Sequence, residues 1–268
     1  LITENPASPQ FKLPELSLPK SLGFDRLVSR RELQKYIDSQ AKALDISSQA
    51  KGMDAYYDKA LTMLHSPYVR KAFALHEESQ AIRDEYGPSP YGQSCLLARR
   101  LVEAGTKFVT VYFSPSIGGR SKTDGGWDTH GFSNTRMYEI VKAYHLPLTD
   151  HVVPTFLNDL ERRGLLDETL VIWMGEFGRT PKINANVSRD HWPQCYTVMM
   201  AGAGVKSGYV HGASDKHAAY PAEDPVKPDD LSATLYHILG IPPTTEVMDV
   251  NNRPLPISNG KVISKILA

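Results

Sequence analysis

The apolar run from Leu170 to Met174 passes without a break into Gly175-Glu176-Phe177-Gly178-Arg179-Thr180-Pro181, and this junction constrains the fold more than any other feature of the chain. A short, uniformly apolar segment followed by Gly and Pro reads as a buried strand, so the polar motif behind it is displayed at the strand's carboxyl end. Two motifs of the same character flank it: Gly125-Gly126-Trp127-Asp128-Thr129-His130 before, and Arg189-Asp190-His191-Trp192 after. Carboxylate and imidazole groups converging from separate segments are what a divalent metal needs. Open α/β sheets gather ligands beyond the carboxyl ends of their strands. A metal-dependent hydrolase is the hypothesis that these residues raise.

Around this junction the punctuation of the chain predicts its elements. Residues 1–28 hold Pro6, Pro9, Pro14 and Pro19 and read as an extended arm. Ser29-Arg-Arg-Glu32 has capping-box spacing and predicts a helix start, with Leu33, Tyr36, Ile37 and Leu44 at helical intervals. A second helix is predicted from Lys51 to His65 and a short third from Ser66-Pro67 to Leu75. The pattern changes at Gly87-Pro88. Beyond it a helix from Gln93 to Ala104 stops at Gly105, and Lys107 to Phe113 branch and alternate as a strand. Residues 134–164 read as a helix kinked or divided at Pro147 and Pro154. Strands are predicted at Thr169–Met174 and Tyr196–Ala201, and a helix capped by Asp229 or Asp230 runs to Gly240. The organisation expected is an arm (1–28), a helical section (29–86) and an α/β core (87–268), the last being the C-terminal part of a longer domain.

Composition narrows the partners. Lys plus Arg and Asp plus Glu both number 30, so there is no basic footprint for nucleic acid. No apolar stretch approaches the ~20 residues that span a bilayer. Cys95 and Cys195 are too few for a disulfide framework and fit no zinc spacing, so both are expected as small buried apolar groups.

Each candidate ligand has a plainer reading beside it. Asp128 and His130 stand two apart, which in extended backbone puts both on one side; alternatively Asp128 caps a turn and His130 lies on the surface. Asp124 reads as a turn residue. Glu176 either binds a cation or pairs with Arg179, whose planar fork could instead hold a phosphate or sulfate. Asp190 and His191 can grip one ion or two neighbouring ions only from a loop, which Trp192 and Pro193 would stiffen. His211, between Gly208 and Gly212, is a possible additional ligand. His237 reads as packed, and His65, His76, His145, His151 and His217 carry no functional signal.

The runs Tyr91-Gly-Gln-Ser-Cys-Leu-Leu-Ala-Arg-Arg-Leu-Val-Glu-Ala-Gly105, Trp127-Asp-Thr-His130, Arg163-Gly-Leu-Leu-Asp-Glu-Thr-Leu-Val171, Gly175-Glu-Phe-Gly-Arg-Thr-Pro181, Arg189-Asp-His191 and Asp230-Leu-Ser-Ala-Thr-Leu-Tyr-His-Ile-Leu-Gly240 resemble the bacterial domain of unknown function fifteen-oh-one family. That family is placed in the alkaline phosphatase/sulfatase superfamily. The resemblance implies a mixed sheet sandwiched by helices, one or two divalent metals (zinc, manganese, calcium or magnesium), and an exported protein of the periplasm or cell surface. It implies a small-molecule or glycan phosphate or sulfate ester as substrate. Asp128 and His130 look like the superfamily's first ligand pair, Glu176 occupies the Asp of its second motif, and His191 looks like its late ligand. Phe177 stands where that second motif carries His, which puts the second metal in doubt unless Asp190 substitutes. The superfamily's nucleophile comes from an N-terminal strand and helix that the arm and helices here do not resemble. The expectation is therefore a C-terminal fragment or incomplete catalytic equipment, with weak or no esterase turnover unless Thr129 or Ser133 serves as an internal nucleophile. The rival expectations are a non-catalytic metal-stabilised binding or structural module, and a phosphomutase-type transferase.

Overall fold

The computed structural model describes residues 2, 4–12, 24–40, 56, 58, 62, 66–113, 126, 127, 129 and 137–268. Contacts divide the chain into two compact units, Leu1–Arg120 and Ser121–Ala268. The helix that the sequence groups with the C-terminal core thus belongs to the first of them.

The first unit is helical. Helix α1 (Phe24–Gln40) begins before Ser29, so the capping-box spacing at Ser29 marks an interior position and not a start. Asp25 supplies the acidic first turn that complements the helix dipole. Leu33 and Tyr36 are exposed, against the buried face that their spacing predicts. The side chain of Ile37, all of Leu44 and most of the helix predicted at 51–65 lie outside what the structure describes.

From Ser66 to the end of this unit, serine caps each α-helix. The hydroxyls of Ser66, Ser79 and Ser89 accept from the backbone N–H of Val69, Ile82 and Gly92 at 3.3, 3.3 and 3.0 Å. These open α2 (Pro67–Phe73), α3 (Gln80–Tyr86) and α4 (Pro90–Glu103). Pro67 and Pro90 follow their caps at the first turn, where a missing N–H costs nothing. Helix α4 is buried continuously from Tyr91 to Arg100. Its two buried arginines are met by Glu78, at 3.0 Å from Arg99 and in a short contact with Arg100. The Nε of Arg100 also donates to Ala72 O at 2.9 Å. Gly105 (φ 90°) ends the run in a left-handed conformation, as predicted.

Lys107 to Phe113 differ from expectation. Burial alternates from exposed Phe108 to half-buried Phe113, yet among the described residues the segment joins no ladder. Alternation is a property of one segment, whereas a strand requires a second to bond with. Phe113 packs edge-on against Tyr91 of α4, ring centroids 4.7 Å apart.

The two cysteines also part company. Cys95 is buried in α4, and burial pushes its thiol up to about 12, while Cys195 is half-exposed. Because the thiolate is the reactive form, alkylation of the native chain at pH 8 should modify Cys195 and spare Cys95, as peptide mass mapping will show. Equal labelling of both would mean that α4 is not packed as described.

The second unit mixes helices with short antiparallel strands. Helix α5 (Met137–Ile140) runs through a π turn (Val141–His145) into α6 (Leu146–Arg162). The division predicted at Pro147 takes this form because proline has no N–H to donate and its ring clashes with the carbonyl four residues back. Pro154 remains inside α6. Strand β1 (Val171–Trp173) follows Gly164 and pairs antiparallel with β4 (Met199–Ala201), Ile172 opposite Met200. Between them β2 (Gly178–Arg179) pairs with β3 (His191–Trp192), and β5 (Ala213–Ser214) pairs with β6 (Pro221–Glu223). Helix α7 (Pro228–Ile238) starts after Lys227, with Asp230 in its first turn accepting from Lys227 N at 2.9 Å. The N–H of Lys261 and Lys227 hold that carboxyl below the usual range. Asp230 and Thr234 of α7 also accept from Lys261 N and Ile263 N, at 2.8 and 2.9 Å, which ties down the closing segment. β7 (Glu246–Met248) and β8 (Pro254–Pro256) form a last exposed hairpin.

The chain therefore combines helix with small antiparallel sheets, compatible with α/β. Every sheet among the described residues has two strands. No helix among them is long and apolar enough to cross a membrane.

Candidate metal centre

Strand β1 leads into the second motif as the sequence predicts, but it is not the buried strand expected: Val171 and Ile172 are half-buried, and Trp173 and Met174 are exposed. Past Trp173 the chain bends at Glu176, passes Phe177 and enters β2. The third motif is not free loop: Gly178 pairs with Trp192 and Arg179 with His191. A further rung follows, Thr180 N donating to Asp190 O at 2.9 Å and Asp190 N to Thr180 Oγ1 at 3.2 Å. Asn184 organises the intervening turn, its Oδ1 accepting from Asn186 N and Ser188 N at 2.9 and 3.1 Å. Its Nδ2 donates to Asp190 Oδ1 at 3.1 Å. The loop is held from within by short-range polar contacts.

Arg179 joins the three motifs. Its Nη2 donates to Trp127 O at 2.7 Å and its Nη1 to Arg189 O at 3.2 Å. Trp127 immediately precedes Asp128, and Arg189 immediately precedes Asp190. Ser188, fully buried, adds a long contact at 3.4 Å from its Oγ to Thr129 O. Arg189 is fixed in turn by Tyr138 Oη at 2.8 Å and Thr180 O at 3.2 Å. Trp127 packs beside His145 of the π turn and Trp173 of β1, ring centroids 5.0 and 6.3 Å away. His145, which carries no signal in sequence, is thus a buried neighbour of the first motif.

The candidate donors fall in different surroundings. Asp128 and His130 themselves, with Asp124 and Ser133, lie outside the described residues, so their convergence with Asp190 and His191 does too. Glu176 is exposed and has neither a hydrogen bond nor an ion pair among the described residues; the alternative Glu176–Arg179 bridge is not formed. Asp190 is exposed and bonded to Asn184. His191 is exposed and its ring stacks on Phe177, centroids 3.7 Å apart and planes at 25°. Two of the five N–H groups of Arg179, read from sequence as an anion fork, are turned to backbone carbonyls.

His211 is half-buried beside Tyr209 (6.2 Å between ring centroids), and its Nδ1 has no hydrogen-bond partner among the described residues. Near it Asp224 is bonded to Lys265 at 2.8 and 2.9 Å, which holds the Asp224 carboxyl below its ordinary range.

The fit to a metal can be judged from donor chemistry. Among the described residues no three His, Cys, Asp or Glu side chains are grouped to hold an ion. A complete set would have to include residues outside the described ones, Asp128 and His130 being the sequence candidates. Between these two, Thr129 is 2% exposed and its Oγ1 has no hydrogen-bond partner among the described residues. Carboxylate and imidazole donors without thiolate suit zinc, manganese or magnesium. By type alone, the candidate donors are ones that such an ion accepts.

The chain belongs to the family described as Protein of unknown function (DUF1501), whose model matches residues 2–267. No curated protein and no solved structure matches it significantly.

Proposed function

We propose, with membership of that family as the premise, that this chain carries a divalent-metal centre for hydrolysis of phosphate or sulfate esters. In this reading it is an exported relative of the alkaline phosphatase/sulfatase superfamily, with that superfamily's sheet sandwiched by helices. The observation that carries the proposal is the Arg179 clasp on Trp127 O and Arg189 O. It ties the backbone beside Asp128 to the backbone beside Asp190, from the motif that also contains Glu176.

The ligands proposed are Asp128, His130, Glu176 and His191, with Asp190 or His211 as further donors. The chemistry such an ion supplies is polarisation of the ester oxygens and a lowered pKa for the attacking group. The protein's own part is orientation. Arg179 spans two carbonyls and fixes where the loops meet, and the exposed carboxylate of Glu176 faces solvent from which a small-molecule or glycan ester arrives.

Replacing Glu176 by Gln keeps its shape and removes its charge. Bound metal, measured by elemental analysis, should fall while the unfolding midpoint moves by no more than the equivalent of about 0.5 kcal/mol, as for an exposed residue with no partner among the described residues. A drop equivalent to about 3–5 kcal/mol with metal unchanged would instead identify a buried ion pair. A screen of aryl phosphate and aryl sulfate esters with added zinc, manganese and magnesium separates the enzyme from the alternative. Bound metal without turnover supports a metal-stabilised binding module.

A further inference from the structure

We infer that Phe177 is a positioning residue that holds the plane of the His191 imidazole; the inference rests on the metal-centre reading above. The two rings lie 3.7 Å apart at 25°, close and nearly parallel. The backbone arranges this. Arg179 pairs with His191 across β2 and β3, so Phe177, immediately before β2, is brought alongside the His191 side chain.

The chemistry suits a ligand. A metal binds imidazole at Nδ1 or Nε2, in the ring plane, and never through the face. A ring laid on the face therefore restrains the imidazole without covering either nitrogen. A side chain loses rotamer freedom when it ligates. Stacking removes part of that freedom beforehand. Phe177 is itself steadied: it is half-buried, and the Arg179 guanidinium carbon lies 6.0 Å from its ring centroid, at the outer reach of a cation–π contact. Arg179 is in turn bonded to two carbonyls. Backbone holds Arg179, Arg179 flanks Phe177, and Phe177 holds His191. This accounts for an aromatic residue inside the otherwise polar or small Gly175-Glu-Phe-Gly-Arg-Thr180 run.

The test uses the full chain with Phe177→Leu, Phe177→Met and Phe177→Tyr. Zinc affinity is measured by competition with a chromophoric chelator, and the His191 Hε1 resonance is followed by NMR. Leu and Met keep apolar bulk and remove the ring, and the second serves if the first does not fold. Both should abolish the ring-current shift of His191 and weaken zinc about tenfold, as loss of a ligand-orienting partner does, with the unfolding midpoint retained. Tyr should restore both signals. Unchanged zinc affinity in Leu or Met despite a lost ring-current shift overturns the positioning role and leaves the metal centre standing. A parent chain that binds no zinc, manganese or magnesium overturns the metal centre and the inference with it.

Discussion

Arg179→Met is expected to cost about 2–4 kcal/mol of stability, from two hydrogen bonds by a charged donor at about 1.5–3 kcal/mol each, reduced by solvent access to a half-buried group. Met retains the aliphatic stem, so the loss reports the guanidinium. Arg179→Lys should lose most of the same amount, because one ammonium cannot reproduce a fork that spans two carbonyls. Trp127, Trp173 and Trp192 are the chain's three tryptophans, and Trp127 O accepts from Arg179 while Trp192 stands beside it in β3. Fluorescence-monitored urea unfolding is therefore a local as well as a global probe. If the midpoint is unchanged in Arg179→Met, the clasp does not hold the motifs together.

Gly178→Ala should be as damaging, about 3 kcal/mol, at the upper end of overpacking. A Cβ at Gly178 would stand 2.1 Å from Cys195 O and 3.2 Å from Tyr196 Cβ. The first of these is backbone and cannot swing aside, so relief requires parting the chain from β2. Gly175, three residues earlier in the same motif, is the control. Its nearest contact would be 3.7 Å, to Phe177 O, an ordinary separation, and Gly175→Ala should stay within about 0.5 kcal/mol. Thermal unfolding of the two variants side by side checks the contrast. Equal effects would mean that Gly178 answers to something other than the close approach of Cys195.

These two residues also mark where sequence stops being readable. Helix ends were legible where one side chain or one φ value decides them: Ser66 before Pro67, Gly105 after α4, the break near Pro147. The cap inferred at Ser29 failed because the spacing of Ser and Glu also occurs inside a helix. β1 and β4 were legible as apolar runs, but their antiparallel pairing was not, since pairing direction depends on a partner distant in sequence. Lys107 to Phe113 show the same gap, a strand pattern with no ladder among the described residues. At the site, the acidic and imidazole residues were visible by type. Their supports were not: the Arg179 clasp crosses from the second motif to the first, and the Phe177–His191 stack crosses from the second to the third. The one sequence hint for the loop was Asn184-Ala-Asn186-Val-Ser188, rich in side chains that bond their own backbone.

Elemental analysis of the purified chain beside Asp128→Asn and His130→Asn tests the central claim most directly. The account predicts stoichiometric zinc, manganese or magnesium in the parent and its loss in both variants, with far-ultraviolet circular dichroism unchanged. A parent free of metal after dialysis against each ion, or variants that retain it, would contradict a metal centre built from these three motifs.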